Sequence, residues 1–207
     1  MTTDTEPMKR QLCQVLYKIG ALKFGTFKLA SGKMSPYYID LRLVPSFPDA
    51  FRKICDLYVK LVRSNVGIDN FTRVAGIPTA GIPFASVVAY NLNKAFLYTR
   101  PARRTHGRER RVEGILISGD KVLLIDDLIT SGKSLRKAAS AIRAEGGVVE
   151  NAVVLIDREE GGRRNLAKDG IDLHYLTKAS DAANTLCDVG AITDTELKTV
   201  LKQRKKE

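Results

Sequence analysis

The stretch Lys121-Val122-Leu123-Leu124-Ile125-Asp126-Asp127-Leu128-Ile129-Thr130-Ser131-Gly132-Lys133-Ser134 decides how this chain is read. Four apolar residues, Val122 to Ile125, have the length and composition of a buried strand. Two adjacent acids, Asp126 and Asp127, close it. A loop of hydroxyl and glycine residues follows, and an apolar-periodic segment then reads as a helix. A loop opening a helix in this way offers backbone N–H groups and a positive dipole end to a phosphate. Acids at the carboxyl end of a strand stand where open α/β sheets bind ligands, and they suit sugar hydroxyls or Mg2+.

Gly132-Lys133-Ser134 also resembles the end of a nucleotide-binding P-loop. That motif requires glycine five positions before Gly132, where the chain has Asp127. A carboxylate there repels a polyphosphate, so the P-loop reading fails. An ordinary strand–turn–helix explains the apolar run and the glycine, but not two acids followed by hydroxyl and glycine residues in one turn.

Residues 122–134 resemble the phosphoribosyl-pyrophosphate (PRPP) signature of the type I phosphoribosyltransferases. The resemblance implies that Asp126 and Asp127 hold the ribose hydroxyls while Leu128, Ile129, Thr130, Ser131, Gly132, Lys133 and Ser134 wrap the 5-phosphate. It implies the type I fold as well: α/β, a mostly parallel central sheet flanked by helices, with an N-terminal hood.

The pattern outside this segment agrees. Pro7 fits the start of a helix carrying Leu12, Val15, Leu16 and Ile19, which Gly20 and Gly25 end. Residues 26–29 and 37–43 read as strands joined by a turn-rich connector over residues 31–36. Pro48 opens a second helix. Arg73 to Ile77 reads as a strand ending in Pro78-Thr79-Ala80-Gly81, followed by an apolar helix to about Leu92. Ala95–Thr99, Val148–Ile156 and residues 171–176 read as further strands, and Thr193 with Glu196 as a capping box. Alternating strands and helices predict a mostly parallel sheet. A single domain over residues 1–207 is expected, with a hood at 1–45, a core sheet at 70–180 and a mobile catalytic loop at 100–113.

Composition narrows the classes. Hydrophobic content of 44% and charged content of 28% are those of a globular chain. No apolar run approaches the roughly 18 residues of a membrane helix, and the N-terminus is polar, so a cytoplasmic location and no membrane partner are expected. Cys13, Cys55 and Cys187 are far apart, which argues against a disulfide framework or zinc site and for small core residues. A net charge of +11 raises nucleic acid as a partner. Yet Arg100, Arg103, Arg104, Arg108, Arg110 and Arg111 concentrate that charge in one loop. Aromatic content of 7% without Trp lacks the stacking residues of single-strand binders.

Phe24 to Arg42 closely resembles the N-terminal segment of orotate phosphoribosyltransferases, which implies Tyr38 and Ile39 beside orotate. Arg100-Pro101-Ala102-Arg103-Arg104-Thr105-His106-Gly107 looks like that family's mobile loop. It implies PRPP contacts from Arg100, Arg103, Arg104 and His106, and a catalytic set of Arg104, His106 and Asp127. Asp157-Arg158, at the end of a strand expected beside the signature loop, implies orotate contacts from Arg158 and from Thr130. The alternative for Arg158 is an ion pair with Glu159 or Glu160. His174 reads as structural. Lysines of familiar bacterial members are replaced by Ala30, Ala80 and Pro101. Arg104 falls at the loop's second lysine, with the register between Arg103 and Arg104 open by one residue.

The resemblance implies transfer of ribose 5-phosphate from PRPP to orotate with Mg2+. The metal would be held mainly by PRPP, with Asp126 and Asp127 as the chain's candidates. It also implies a homodimer sharing the catalytic loop. The alternatives are another purine or pyrimidine phosphoribosyltransferase, or a PRPP-sensing RNA-binding regulator.

Overall fold

The computed structural model describes residues 5–28, 34–100 and 111–204. They form two compact units, one from the N-terminus to Ile54 together with Leu176 onward, the other Cys55–Tyr175.

In the first unit, α1 (Glu6–Lys18) has Pro7 in its first turn, where no intrahelical N–H is lost. Met8, Leu12, Cys13 and Leu16 form its buried stripe. Strands β1 (Leu22–Lys28) and β2 (Met34–Ile39) make an antiparallel hairpin. The sequence reading began β1 at 26 because Gly25 looked like a break. Gly25 lies inside the strand at φ +146°, where the register shifts between Phe24 and Phe27. Such an irregularity accommodates Gly25 on one strand and Pro36 on the other. The expected strand to residue 43 is also corrected. The chain leaves β2 at Ile39 and makes a 3-10 turn over Leu41–Ser46. Asp40 forces this, because its Oδ1 accepts the Arg42 N–H at 3.2 Å.

At the C-terminal end lie α6 (Ala179–Asp188) and α7 (Asp194–Arg204). The predicted capping box is present. The Thr193 N–H donates to Glu196 Oε2 at 2.8 Å, and the Glu196 N–H donates to Thr193 Oγ1 at 3.3 Å.

The second unit is built on a sheet. Its strands are β3 (Arg73–Gly76), β4 (Ala95–Thr99), β5 (Val112–Glu113), β6 (Lys121–Ile125), β7 (Leu128–Ile129) and β8 (Val148–Asp157), joined by β9 (Asp172–Lys178). The order is β5-β4-β3-β6-β8-β7, with β9 also pairing β8. All pairings in that path are parallel except β4 with β5. The chain runs outward from β3 to β5 on one side, then resumes at β6 on the other. The order therefore reverses between β3 and β6, and ligands bind at such a switch point, beyond the strands' carboxyl ends.

The continuous apolar run of β6 follows from helices on both faces. Val122 and Leu124 join a core with Leu135, Ala138, Ala139 and Ile142 of α4 (Lys133–Ala144). Leu123 and Ile125, equally buried, point to the face where α3 (Gly81–Asn91) packs. α2 (Pro48–Asn65) begins at Pro48 as expected, and α5 (Gly162–Lys168), which the sequence did not announce, follows β8. No helix among the described residues is long and apolar enough to cross a membrane.

The cysteines are free, and burial pushes the Cys13 and Cys55 thiols up to about 12, as befits core residues. His174 is half-buried with Nε2 2.9 Å from Asn151 Oδ1, and burial lowers its pKa.

Candidate active site

The acid pair sits at the switch point. The Ile77 N–H donates to Ile125 C=O at 3.1 Å and the Asp126 N–H to Val153 C=O at 3.2 Å, which ties the end of β6 to both neighbours. Asp126 Oδ1 accepts the Asp127 N–H at 3.0 Å, and Asp127 Oδ1 accepts the Leu128 N–H at 2.8 Å. Tyr58 of α2, fully buried, donates its hydroxyl to the Asp126 carbonyl at 2.7 Å. From the other side Gly81, the first residue of α3, approaches so closely that a Cβ there would lie 2.6 Å from Ile125 O and 2.9 Å from Asp126 Cα. Burial, reinforced by the neighbouring Asp127, raises the Asp126 pKa well above the usual carboxylate value. Asp126 is the buried member of the pair and Asp127 the partly exposed one.

The loop after the acids runs into α4 as the sequence reading expects, with one short strand, β7, inserted between acids and loop. The Ile129 side chain belongs to the core. Gly132 adopts φ +77°, a left-handed conformation that glycine permits, and directly precedes α4. No side chain caps α4, so its first-turn N–H groups remain for a ligand. α5 buttresses the loop from behind. Asn165 Nδ2 donates to Ser131 C=O at 3.0 Å, and Gly162 lies so near that a Cβ would be 2.4 Å from Thr130 O.

A cleft of about 150 Å3 opens beside the loop. Ser134, Lys137 and Ala138 of α4 form one wall, Ile77 and Pro78 another, and Thr99, Arg100 and Arg111 the remainder. The Pro78–Thr79 peptide is cis. Arg100 Nε pairs with Glu113 Oε1 at 2.5 Å, and the Arg100 N–H donates to Arg111 C=O at 2.8 Å. β4 and β5, which flank residues 101–110 in the sequence, thus pair antiparallel. Arg103, Arg104 and His106 lie outside the described residues, as do Pro101 and Ala30.

Arg158 stands where the sequence reading put it. Its N–H donates to Ile129 C=O at 3.0 Å, beside the phosphate loop. Its side chain makes the ion pair given as the alternative, Nε lying 2.8 Å from Glu160 Oε1 with the Arg158 side chain only 10% exposed. In the first unit Tyr38 is half-buried, its hydroxyl donating to Asp40 Oδ2 at 3.4 Å and accepting from Arg42 Nη2 at 3.3 Å. The Arg42 guanidinium holds the Asp40 carboxyl below its usual range. Ile39 is buried with Tyr37 on the opposite side of β2.

The phosphoribosyl transferase domain model matches residues 47–183. The orotate phosphoribosyltransferase of Cenarchaeum symbiosum is 45% identical over 177 residues, 86% of this chain and 88% of that protein. The chain belongs to the orotate phosphoribosyltransferase family. Among solved structures, the orotate phosphoribosyltransferase of Aeropyrum pernix superposes with a TM-score of 0.76 at 33% identity, covering 88% of this chain and 99% of that one. The UMP synthase of Leishmania donovani superposes with a TM-score of 0.84 at 31% identity over 96% of this chain, which spans 42% of that longer protein.

Several residues around the acid pair and the loop were missed by the sequence reading. Tyr58 and Gly81 position Asp126, while Gly162 and Asn165 hold the loop. Lys137 stands three positions beyond Ser134, hence on the same side of α4, a spacing that was available in the sequence.

Proposed function

We propose that this chain transfers ribose 5-phosphate from PRPP to orotate, forming orotidine 5′-monophosphate and pyrophosphate. The observation that carries the proposal is the acid pair and uncapped phosphate loop together at the sheet's switch point. The bond from the sugar's anomeric carbon to the pyrophosphate oxygen breaks, and a bond to a ring nitrogen of orotate forms. No side-chain nucleophile is required.

Asp127 accepts ribose hydroxyls, and residues 128–134 donate to the 5-phosphate. Arg100 and the loop residues Arg103, Arg104 and His106 offset the negative charge gathering on the leaving group. A guanidinium does not release its proton, so proton donation falls to His106 or water. Closure of a loop over the reactants keeps out water that would hydrolyse the donor. The base contacts assigned to Tyr38, Ile39, Thr130 and Arg158 belong to the same proposal, as does a homodimer in which the loop serves the neighbouring site.

A Mg2+ held mainly by PRPP would suit two adjacent carboxylates, which are hard oxygen donors. Asp126 and Asp127 would be the chain's share. Bound there, the ion supplies positive charge to the departing pyrophosphate. Three free cysteines fit a reducing cytoplasm. The test is PRPP-dependent loss of orotate absorbance with purified protein, alongside uracil, hypoxanthine and adenine. Turnover of a purine in preference to orotate would refute the assignment.

A further inference from the structure

The loop in front of α3, Pro78-Thr79-Ala80-Gly81, contains no charged side chain. Its first residue, Pro78, lines with Ile77 a cleft whose other walls carry three cations, Arg100, Arg111 and Lys137. Of these, only Arg100 is among the PRPP contacts already assigned. We propose that Lys137 and Arg111 are further binding residues for the diphosphate end of the donor, supplying from α4 and from the position just before β5 the charge that Ala80 does not. This rests on the phosphoribosyl-transfer reading for the identity of the ligand.

The argument is one of position and of charge. Ser134 ends the phosphate loop and Pro78 begins the loop before α3, and both line the cleft. A ligand with one phosphate at the helix N-terminus and a second anionic group further along has this cleft within its reach. Lys137 lines the cleft one helical turn beyond Ser134, past the first-turn N–H groups that take the first phosphate.

The acids at the rim are already engaged. Glu113 lies within ion-pairing distance of Arg100 Nε. Glu145 accepts the backbone N–H groups of Arg111 and Val112 at 3.1 and 3.2 Å. Glu145 thereby anchors the strand that presents Arg111 at the cleft. Three cations around about 150 Å3 make a site for a compact, multiply charged anion.

The test uses the full chain and two probes, inorganic pyrophosphate and ribose 5-phosphate, titrated calorimetrically into wild type, Lys137→Gln, Lys137→Arg and Arg111→Gln. Lys137 is exposed, so its substitution leaves the fold intact, which thermal melting checks. The expected result is pyrophosphate affinity reduced by about tenfold in Lys137→Gln and Arg111→Gln, the loss of one charge-assisted contact each. Lys137→Arg should retain affinity, and ribose 5-phosphate should bind all four proteins alike. In turnover, the PRPP Michaelis constant should rise in Lys137→Gln while that of orotate stays unchanged.

Unchanged pyrophosphate affinity in both glutamine variants would overturn the proposal, as would an equal loss of ribose 5-phosphate binding. Failure of the underlying reading looks different. Wild type would then bind pyrophosphate in the Lys137-dependent way yet form no orotidine 5′-monophosphate.

Discussion

Gly81→Ala tests whether the position of the acid pair is set by the packing of α3 against the end of β6. The added methyl would lie 2.6 Å from Ile125 O and 2.9 Å from both Asp126 Cα and Oδ1, where ordinary contact begins at 3.4 Å. The clash is with backbone, so no side-chain rotation relieves it. Either α3 retreats or the end of β6 moves, by about 0.8 Å on the 2.6 Å contact. Overpacking of this kind costs about 1–3 kcal/mol of stability. A misplacement near 1 Å in a reacting geometry costs roughly a hundredfold in rate.

Gly119→Ala is the matched control. Gly119 has φ +87°, and a methyl added there would meet nothing within 4 Å, so alanine incurs backbone strain but touches no site. Its cost is similar, about 1–2 kcal/mol. Both variants should unfold at lower denaturant, but only Gly81→Ala should lose catalytic efficiency, by roughly a hundredfold with PRPP varied. Steady-state kinetics beside chemical denaturation decides it. If Gly81→Ala loses stability as Gly119→Ala does and keeps wild-type kinetics, the contact does not position Asp126 for catalysis.

Four other outcomes are expected. Asp127→Asn should weaken PRPP binding by roughly tenfold or more, since hydrogen bonds to a charged group are worth about 1.5–3 kcal/mol, while melting stays unchanged; calorimetry with PRPP reads it. Arg158→Ala should raise the orotate Michaelis constant and narrow the preference over uracil, which has no carboxylate for the fork to meet; wild-type orotate kinetics would reduce Arg158 to the ion-pair partner of Glu160. Asp120→Ala should destabilise by about 2–4 kcal/mol, because Asp120 receives Arg73 Nε, Thr72 Oγ1 and the Ile117 N–H. Burial raises the Asp120 pKa, but those donors outweigh it and hold it below its ordinary 3.8; the stabilisation is therefore present above that value and is lost as pH falls through the folded-state value, so wild type and variant should converge in acid denaturation. Finally, mixing Arg104→Ala chains with Asp127→Asn chains should partly restore activity if the loop crosses a dimer, one site taking both lesions and the other neither; verified heterodimers without recovery would assign each loop to its own subunit.

The elements legible in the sequence were those whose signal is local. Val122–Ile125 announced a strand buried on two faces because every residue in it is apolar, and Thr193 with Glu196 announced a helix start because both halves of the reciprocal bond lie within one turn. Where the reading missed, a nonlocal or conformational effect had won. Gly25 looked like a terminator, yet pairing with β2 carries the strand through it. Residues 41–43 lie in a stretch that alternates as a strand would, but the Asp40 carboxylate bends the chain at that point. α5 has seven residues and no long apolar stripe, so its existence is secured by packing against Thr130 and Ser131, which no window of sequence contains.

The same division runs through the site. Asp126, Asp127 and residues 130–134 were readable because a strand, its terminal acids and a helix start are contiguous, and the chemistry needs them contiguous. What makes the pair rigid was not readable. Tyr58 lies 68 positions before Asp126 and reaches it only because α2 places its hydroxyl 2.7 Å from that carbonyl. A tyrosine in an apolar helix stripe looks like any other core aromatic until the polar tip is seen to have a buried acceptor, and a buried carbonyl at the end of a strand needs a donor. Gly81 is similar. In sequence it is a glycine at a helix start, where capping and turn geometry are equally good reasons for it; in the fold its lack of a Cβ lets backbone meet backbone at the switch point. The residues proposed to face the ligand are thus set by local chemistry, and the residues that hold them in place by distances that only the folded chain defines. Substitutions in the second group should therefore change PRPP kinetics without touching any atom of PRPP.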